Sequence, residues 1–505
     1  MRLEEQAQQS PMDLEQRVAL AAREGGLWIE ASSSVGSRGR SSFLSCEPAL
    51  WIRGSGSVLE ISPGPSGDRG WLDQFEAADP GPGPAYERLA SVMRRLRVPI
   101  PIPNPEDGRH PPTFRGGLAG CFSYDLGRRF ESIPGYLPND LAWDFLFGLY
   151  DEVLELRPDG TQQLHSLGGS PNRLLSLPSA RHLDLGDLAR CGITSPAEPE
   201  LDEAAHRSGV EAIRELIREG DIYQANLTMR FRARYDSPST PLATFLRLRH
   251  NNPAPHSHFQ ALPGVTVVSS SPECFLDLSR SGHVVSRPIK GTASRGATTT
   301  DDHLLREELE RSAKDHSELA MIVDLVRNDI GRSCVPGSVD RRPEVVAEGH
   351  PSVWHLVGEV RGRLASGRDA FDLVRGSFPP GSCIGAPKLR VMEVIEALET
   401  SRRGIYTGSL GWLGLDGSAA LNVVIRTLTF TEDIDHEGTG EVSFGVGGGI
   451  VFDSEPSSEW REALLKARAL QVALRPGPVH LGAPNQGEPD PLIRLQFNGP
   501  HHADH

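Results

Sequence analysis

The chain contains few lysines, and the first of them stands in a stretch that could carry chemistry. Four of the 52 Lys and Arg residues are lysines, and none precedes Lys290 in "SRPIKGTASRG". An amine differs from a guanidinium because, when desolvated, it can lose its proton near neutral pH and then attack carbon. We therefore interpret Lys290 as an amine selected for chemistry.

The neighbouring sequence supplies a carboxylate for this amine. The runs "PECFLDL" and "HVVSRPIKG" predict two strands joined at "SRSG". If Ser281 and Gly282 form a two-residue hairpin loop, Glu273 and Lys290 lie opposite each other on one face of the sheet, and a slip of one residue would separate them. A carboxylic acid there can protonate a leaving group, whereas the alternative is a surface ion pair of little energetic value.

A second group of charged residues falls on one face of a predicted helix. Glu459, Glu462 and Lys466 have the spacing i, i+3 and i+7 in "SSEWREALLKARALQVAL". Ser457 or Ser458 is predicted as the N-cap, which leaves both glutamates in the first turn. Acidic residues also favour helix N-termini for structural reasons alone, so the spacing leaves both interpretations open.

Glu318 is a further carboxylate, placed just before the apolar stripe of the helix predicted in "KDHSELAMIVDLVRND". Two or three carboxylates, together with waters and an anionic substrate, suit octahedral Mg²⁺. Spacing alone does not bring Glu318 to Glu459.

The elements that must position these residues follow from composition and periodicity. Residues 1–24 are expected to be mobile, and strand-like runs broken by Gly and Pro occupy 25–195. Helical and strand patterns alternate through 205–472, which we interpret as the catalytic domain. The Pro- and Gly-rich segment 475–505 is expected to be disordered.

The bulk properties exclude several classes of function. A net charge of −15 argues against binding of nucleic acid or of an anionic membrane. The N-terminus has no apolar signal-peptide core, and no run of 18 apolar residues predicts a membrane span. Six scattered cysteines without a C-x-x-C pair indicate reduced thiols, so we expect a cytoplasmic protein.

Several familiar motifs are missing or incomplete. The "GVGGG" segment of residues 445–449 lacks the following helix and distal acid of a dinucleotide-binding unit. The sequence has no P-loop and no G-x-S-x-G elbow. Cys383 in "GSCIGAPK" is the candidate for a glutaminase nucleophile, but no histidine motif accompanies it.

Six segments, taken in order, resemble the chorismate-binding enzymes: "PIKGT", "KDHSELAMIVDLVRND", "PPGSCIGAPKLRVMEVIEALE", "RGIYTGSLGWL", "ALNVVIRTL" and "FGVGGGIVFDSEPSSEWRE". They fall within residues 205–470. Upstream, "SSFLSCEP" and "FRGGLAGCFSYDLGRRFE" resemble the N-terminal region of some members of that family. Each motif alone is modest, but six in the family's order make a chance match implausible.

The resemblance implies a fold, a metal and a set of substrate contacts. The implied fold is α+β, a two-lobed sandwich of large antiparallel sheets flanked by helices. Mg²⁺ is the implied cofactor, held by Glu318, Glu459 and Glu462, and it would grip a carboxylate of chorismate. The positions implied to anchor the substrate are Thr292, His355, Tyr406, Arg426, Gly448, Gly449 and Lys466.

Within this family, Lys290 is the residue that distinguishes the products. Anthranilate-forming members look like "PIAGT" here, and members that form aminodeoxychorismate look like "PIKGT". The resemblance implies that Lys290 attacks the 2-position of chorismate, that Glu273 protonates the departing 4-hydroxyl, and that ammonia then enters at the 4-position. Gln224 stands where isochorismate-forming members have a lysine that activates water, which argues against water as the nucleophile.

The resemblance leaves two alternative functions open and implies two separate partner enzymes. An anthranilate-forming enzyme with an atypical lysine is the alternative, and a non-catalytic regulatory relative is a remote one. The sequence contains no glutaminase or lyase domain, so the resemblance implies a separate glutamine amidotransferase that supplies ammonia and a separate lyase that makes 4-aminobenzoate. Ile384 departs from the Ser or Thr that many relatives have before "GAPK", which leaves the substrate contacts at this position open.

Overall fold

A computed structural model describes residues 3–7, 12–31, 39–98, 111–131, 133, 135, 137, 141, 143–168, 173–176, 184–341, 345–350, 353–433 and 435–480. The part of the tail beyond residue 480 that we predicted to be disordered therefore lies outside the described residues. The strands in chain order are β1 (Leu3–Ala7), β2 (Leu27–Glu30), β3 (Ser42–Ser45), β4 (Leu50–Ser55), β5 (Val58–Pro63), β6 (Gly117–Phe122), β7 (Phe145–Tyr150), β8 (Glu152–Leu156), β9 (Gln162–Leu167), β10 (Glu198–Pro199), β11 (Gln224–Tyr235), β12 (His256–Leu262), β13 (Val265–Ser271), β14 (Cys274–Leu278), β15 (His283–Arg287), β16 (Ile289–Ser294), β17 (Asp340–Arg341), β18 (Val346–Gly349), β19 (Val353–Val357), β20 (Val360–Arg363), β21 (Gly385–Ala386), β22 (Ser409–Gly414), β23 (Ala419–Val423), β24 (Thr427–Asp433) and β25 (His436–Ile450).

The helices in chain order are α1 (Leu14–Ala21), α2 (Arg69–Ala78), α3 (Ala85–Arg95), α4 (Gly127–Phe130), α5 (Arg173–Ser176), α6 (Leu185–Arg190), α7 (Glu203–Arg218), α8 (Thr240–Asn251), α9 (Thr299–Arg311), α10 (Ala313–Gly331), α11 (Ala370–Ser377), α12 (Lys388–Leu398) and α13 (Pro456–Leu474). Two short 3₁₀ turns cover Tyr124–Leu126 and Gly381–Cys383. In the part of the chain that is described, no helix is long and apolar enough to cross a membrane.

The strands form two large antiparallel sheets and one small sheet. The larger sheet has twelve strands in the order β1-β9-β8-β3-β2-β12-β13-β24-β25-β11-β10, with β21 also paired to β11. The second has ten strands in the order β17-β20-β15-β14-β23-β22-β6-β7-β4-β5, and the third has the order β16-β19-β18. Both the region 25–195 and the region 205–472 contribute strands to both large sheets.

The two large sheets face each other and carry helices on their outer sides. Between the sheets, residues such as Leu27 and Phe43 of the first pack with Trp412 of the second. Helices α8 and α13 cover the outer side of the larger sheet, and α10 and α11 that of the second, because their apolar faces join the corresponding core clusters. The predicted α+β sandwich of antiparallel sheets flanked by helices is therefore confirmed.

The N-terminal segment, whose mobility over residues 1–24 stays a prediction, contains a strand and a helix in its described part. Strand β1 pairs with β9, and α1 begins with a capping box in which Asp13 and Gln16 bond each other's backbone N–H groups. Val18 and Leu20 of α1 are buried. The strand pairing and the buried apolar side chains explain why these elements form.

Candidate active site

Lys290 lies on the small sheet and not on the strand that the hairpin prediction gave it. Strands β14 and β15 pair Leu278 with Val284 and Cys274 with Arg287, with a bulge between the two pairs. The predicted register, with Glu273 opposite Lys290 across a two-residue loop, is therefore wrong.

The turn itself explains the error. The backbone N–H of Ser279 donates to the His283 carbonyl at 2.9 Å, and the hydroxyl of Ser281 lies 2.9 Å from that of Ser279. These contacts stabilise a turn longer than two residues, and the bulge shifts the pairing once more. After Pro288 the chain leaves β15 and enters β16, where Lys290 pairs with Leu356.

Glu273 and Lys290 are nevertheless brought together by other contacts. Glu273 directly precedes β14 and is 4 % exposed. Its carboxyl group accepts hydrogen bonds from the Ser382 hydroxyl and from the backbone N–H of Ile289, next to the charge of Lys290. Burial outweighs these contacts and raises the pKa of Glu273 to about 7. A carboxyl group with this pKa holds a proton near neutral pH, as a general acid requires.

Two adjacent glycines of β25, Gly448 and Gly449, each lie close to a different group of functional side chains. A Cβ at Gly449 would overlap the Gln224 amide and lie 3.2 Å from Lys290 Nζ. A Cβ at Gly448 would lie 3.0 Å from Glu459 Oε2 and 3.9 Å from Lys466 Nζ. The "GVGGG" segment therefore lets the backbone approach functional side chains closely, which is the interpretation that its composition favoured.

We call the group of Glu273, Lys290 and Gly449 the acid–amine end, and the group at Gly448 the carboxylate end. The carboxylate end contains Glu318 of α10 with Glu459, Glu462 and Lys466 of α13. Helix α13 begins two or three residues earlier than predicted, because Glu455 and not Ser457 or Ser458 is its N-cap. The Glu455 carboxylate accepts from the backbone N–H groups of both serines.

The three glutamates share one electrostatic environment. Burial raises the pKa of Glu318, and the charges of Lys290 and Lys314 oppose that rise. Burial also raises the pKa of Glu459, to which the charge of Glu462 adds. Lys466, whose Nζ is 2.8 Å from Glu462 Oε1, lowers the pKa of Glu462. Three of the four lysines thus act on this cluster, which the sequence alone did not reveal.

The donor set at the carboxylate end is compatible with Mg²⁺ only if the ion also takes other ligands. Among the residues that the structure describes, no three His, Cys, Asp or Glu side chains are arranged to hold one metal ion. Mg²⁺ in proteins keeps several waters and binds through one or two carboxylates plus substrate oxygens. The charge of Glu462 adds to the raised pKa values of both Glu318 and Glu459, so a divalent cation would relieve the repulsion of each with Glu462.

His355 links two other predicted substrate contacts. Thr292 Oγ1 lies 2.9 Å from His355 Nδ1, and Arg426 Nη2 donates to His355 Nε2 at 3.3 Å. An arginine only donates, so Nε2 accepts and the proton of the neutral imidazole is on Nδ1. Burial and the charge of Arg426 hold the pKa of His355 well below its ordinary value, which keeps the ring neutral.

Arg426 and Tyr406 stand close to the glycine strand. Arg426 adopts a left-handed backbone with φ +50°, a conformation that non-glycine residues rarely adopt outside functional sites. Burial lowers the pKa of Arg426 to about 10, and no described carboxylate opposes that effect. The ring of Tyr406 packs where a Cβ of Gly445 would be, and Lys466 Nζ donates to the Gly447 carbonyl at 2.9 Å. The Arg426 guanidinium, which no described carboxylate opposes, is thus available to an anionic ligand.

Two features of the site were not predicted from the sequence. The first is Ser382, whose hydroxyl lies close enough to Glu273 to lower the pKa of that carboxyl group. Asn226 was missed, although its position opposite Gly449 on β11 follows from the strand register once the sheet is known. Ile384 is fully buried in an apolar cluster with Val391 and Ile395, so its side chain belongs to the core.

A cavity beside Tyr406 does not coincide with this chemistry. It measures about 430 Å³ and borders Tyr406 and Gly445, but neither Lys290 nor Glu273 lines it. We therefore locate the candidate site by its reactive groups rather than by cavity size.

Comparisons with known proteins show the family to which the chain is similar. A family profile described as chorismate binding enzyme matches residues 85–472. An aminodeoxychorismate synthase component 1 from Salmonella typhimurium is 38% identical over 71% of this chain and 76% of its own length. An anthranilate synthase component 1 from Haloarcula marismortui is 35% identical over 79% of each chain.

A chloroplastic aminodeoxychorismate synthase from Arabidopsis thaliana is 33% identical over 88% of this chain, which spans 49% of that relative's length. Among solved structures, anthranilate synthase component I from Streptococcus pneumoniae has a TM-score of 0.66 at 26% identity, covering 86% of this chain and 92% of its own. A menaquinone-specific isochorismate synthase from Escherichia coli has the same TM-score at 16% identity over 94% of both chains, a likeness of fold alone.

Proposed function

We propose that this chain, which belongs to the chorismate-binding enzyme family, converts chorismate and ammonia into 4-amino-4-deoxychorismate. The observation that carries the proposal is the buried acid Glu273, on which the charge of the nearby Lys290 amine acts. Aminodeoxychorismate synthases and anthranilate synthases are both among its relatives, so the family leaves the product open. Lys290 is the residue that favours the first.

In the proposed reaction, Lys290 is the nucleophile and Glu273 the acid. The unprotonated amine attacks the 2-position of chorismate, both ring double bonds shift toward the 4-position, and the 4-hydroxyl departs as water with the proton of Glu273. Ammonia then attacks the 4-position and the bond to Lys290 breaks, which returns the amine. The low exposure of Glu273 supports this step, because a preorganised acid in a water-poor site needs little rearrangement.

The remaining site residues would bind and orient the substrate. Arg426 has a guanidinium without a described carboxylate partner, which suits a substrate carboxylate. Neutral His355 would orient Arg426 and Thr292, to which it is hydrogen-bonded. The other proposed contacts are the Tyr406 side chain, the Gly448 and Gly449 backbone and the Lys466 amine.

Mg²⁺ is proposed as the cofactor of the carboxylate end. Glu318, Glu459 and Glu462 would hold it, and the ion would neutralise a carboxylate of chorismate beside them. Lys466 limits the contribution of Glu462 to such a metal site, because Lys466 Nζ lies 2.8 Å from Glu462 Oε1. Glu318 and Glu459 are thus the carboxylates best placed to respond to added metal.

A glutamine amidotransferase is the proposed partner. Several relatives are named as component 1, which implies a second component. Hydrolysis of glutamine on that partner would supply ammonia, and a separate lyase would convert the product into 4-aminobenzoate. A cytoplasmic location stays a prediction from the polar N-terminus and the scattered cysteines.

Product analysis tests the proposal directly. The protein is incubated with chorismate, Mg²⁺ and an ammonium salt, and the products are separated by chromatography with fluorescence and mass detection. We expect 4-amino-4-deoxychorismate. Anthranilate, recognised by its fluorescence, would instead support the second candidate, which the 35% identical Haloarcula marismortui relative favours. No turnover with any nitrogen source would favour a non-catalytic protein.

A further inference from the structure

Lys388, the lysine that does not act on the carboxylate end, forms a buried ion pair with Asp329. Lys388, the first residue of α12, has its Nζ 2.6 Å from Asp329 Oδ2 and 2.8 Å from the Ser377 carbonyl. The side chains of Lys388 and Asp329 are 14 % and 7 % exposed. The pair joins the ends of α10, α11 and α12, and the proposed reaction assigns it no role.

A small cavity with both apolar and polar residues in its wall lies between this pair and the general acid. It measures about 10 Å³, and its lining includes Glu273, Ser382, Asp329 and Ser377. A cavity of roughly 10–15 Å³ with two to four polar neighbours is enough for one buried water. Asp329 lines the cavity and accepts a hydrogen bond from Lys388 Nζ. The cavity therefore lies between this ion pair and Glu273.

Ser377 provides an independent sign that the cavity is polar. Its side chain is 1 % exposed, and its hydroxyl has no hydrogen-bond partner among the described residues. A buried hydroxyl without a partner costs free energy that a bound water would recover. An unpartnered hydroxyl in a small cavity between two carboxyl groups thus indicates a water site.

The proposed reaction gives this arrangement a purpose. Glu273 loses its proton to the leaving hydroxyl on the side that faces the substrate, and bound substrate or product then occupies that side. The carboxylate must regain a proton before the next turnover. The cavity offers that proton a route to Glu273 from the side on which Asp329 lies.

We propose that Lys388, Asp329 and Ser377, with one water in this cavity, form a proton relay that returns a proton to Glu273. The relay rests on the proposed function, since it serves the same acid. A proton passes from the cavity water to Glu273, from Asp329 to that water, and from the Lys388 ammonium to Asp329. The amine of Lys388 then takes a proton from solvent at its partly exposed end. These residues act through Glu273 and do not touch the substrate.

The electrostatic setting favours such transfers. Burial raises the pKa of Asp329 and lowers the pKa of Lys388, so the two groups approach each other in proton affinity. Arg332 faces both groups, and Glu131 faces Lys388.

Glu273 itself faces the charge of Lys290 and the thiol of Cys383. Burial raises the pKa of Cys383 to about 12, so its thiol stays protonated and does not compete for the relayed proton. The relay to Glu273 therefore runs from Asp329 and not from Cys383.

The test compares the first turnover with repeated turnovers in Asp329→Asn and Lys388→Arg. Lys388→Arg keeps a cation beside Asp329, but a guanidinium does not give up its proton. Chorismate consumption is measured with Mg²⁺ and an ammonium salt, once with enzyme in excess and once in the steady state. We expect the first turnover to stay within about two-fold of the unmodified protein and the steady-state rate to fall about ten-fold or more, with a larger solvent deuterium isotope effect.

The controls separate a relay from a structural role. Glu30→Gln breaks another buried ion pair, with Arg249 at 2.8 Å, and we expect both of its rates to be unchanged. Ser377→Ala should slow the steady state, and Ser377→Thr, which keeps the hydroxyl, should restore it. Equal loss of both rates, or a Lys388→Arg protein with normal steady-state turnover, would overturn the relay.

The readout also keeps the relay apart from the proposed product. Both rates are followed by loss of chorismate, so the comparison holds even if the product proves to be anthranilate. In that case the proposed function fails while the relay is still judged by the ratio of the two rates. A protein that consumes no chorismate would overturn both.

Discussion

The two ends of the candidate site use the same residue types in opposite ways. At the acid–amine end, Glu273 is 4 % exposed, and burial raises its pKa to about 7. At the carboxylate end, the side chains of Glu462 and Lys466 are 54 % and 45 % exposed, and their contact lowers the pKa of Glu462. Both ends combine glutamate with lysine, so the exposed pair of Glu462 and Lys466 differs from Glu273 in burial rather than in composition.

This difference indicates a division of labour. Groups that exchange protons or form bonds benefit from fixed partners and little water, since reorganisation then costs less. Groups that bind an ion and an anionic substrate must stay open until those ligands arrive. We therefore expect changes at the acid–amine end to lower kcat, and changes at the carboxylate end to weaken binding.

Lys290 should give the largest effect. Lys290→Ala removes the proposed nucleophile and should lower turnover by at least about 10³-fold, because covalent catalysis depends on that atom. Steady-state assays of chorismate consumption measure the loss. Mass spectrometry of the unmodified protein during turnover should trap an adduct on the peptide that contains Lys290.

Lys290→Arg is the sharper variant for the same position. It keeps the positive charge but not the ability to become an uncharged nucleophile. A fully active Lys290→Arg protein would contradict the nucleophilic role and would also remove the reason to call this end catalytic.

Glu273→Gln should give the next largest effect, a loss of about 10²–10⁴-fold in kcat, since the amide cannot protonate the leaving hydroxyl. The pH profile provides the second test. The acid is active when protonated, so kcat of the unmodified protein should be highest below the pKa of about 7 and should fall as pH rises through it. Glu273→Gln should lose this limb. A profile that rises through pH 7 in the unmodified protein would exclude Glu273 as the acid.

Local sequence patterns predicted one end of the site better than the other. The spacing of Glu459, Glu462 and Lys466 placed them correctly on one face of α13, because helical periodicity is a property of neighbouring residues. The approach of Glu318 depends on how α10 packs, and spacing holds no information on it. The family resemblance, rather than periodicity, grouped Glu318 with Glu459 and Glu462.

The acid–amine end shows why hairpin arithmetic failed although the two residues are close. Ser279, Ser281 and His283 bond one another and lengthen the turn, and the bulge in β14 shifts the register again. Neither effect is visible in the alternation of apolar and polar residues. Glu273 meets Lys290 through the backbone of Ile289 on a different sheet, a contact that only the tertiary fold creates.

Glu459→Gln tests the carboxylate end. The loss of one carboxylate should raise the Mg²⁺ concentration needed for half-maximal activity by about 10–100-fold, with kcat largely restored at high Mg²⁺. Mg²⁺ titrations of activity measure this shift. Asp324→Asn on α10, whose side chain is 73 % exposed, removes one charge away from the cluster and should leave the titration unchanged. A loss of kcat that no Mg²⁺ concentration restores would place Glu459 in the chemistry instead.

The adjacent glycines Gly449 and Gly448 give the smallest effects and the most closely matched comparison. A Cβ at Gly449 must displace the buried Gln224 amide and crowd Lys290, so Gly449→Ala should lower kcat by about ten-fold, in keeping with the cost of misplacing a reactive group. A Cβ at Gly448 meets the flexible end of Glu459 at 3.0 Å, which can move aside. Gly448→Ala should therefore change kcat by less than about three-fold and act mainly on the Mg²⁺ requirement. Steady-state kinetics over a Mg²⁺ series separates the two variants. If both lower kcat alike, the two ends are one catalytic unit and the division between chemistry and binding is wrong.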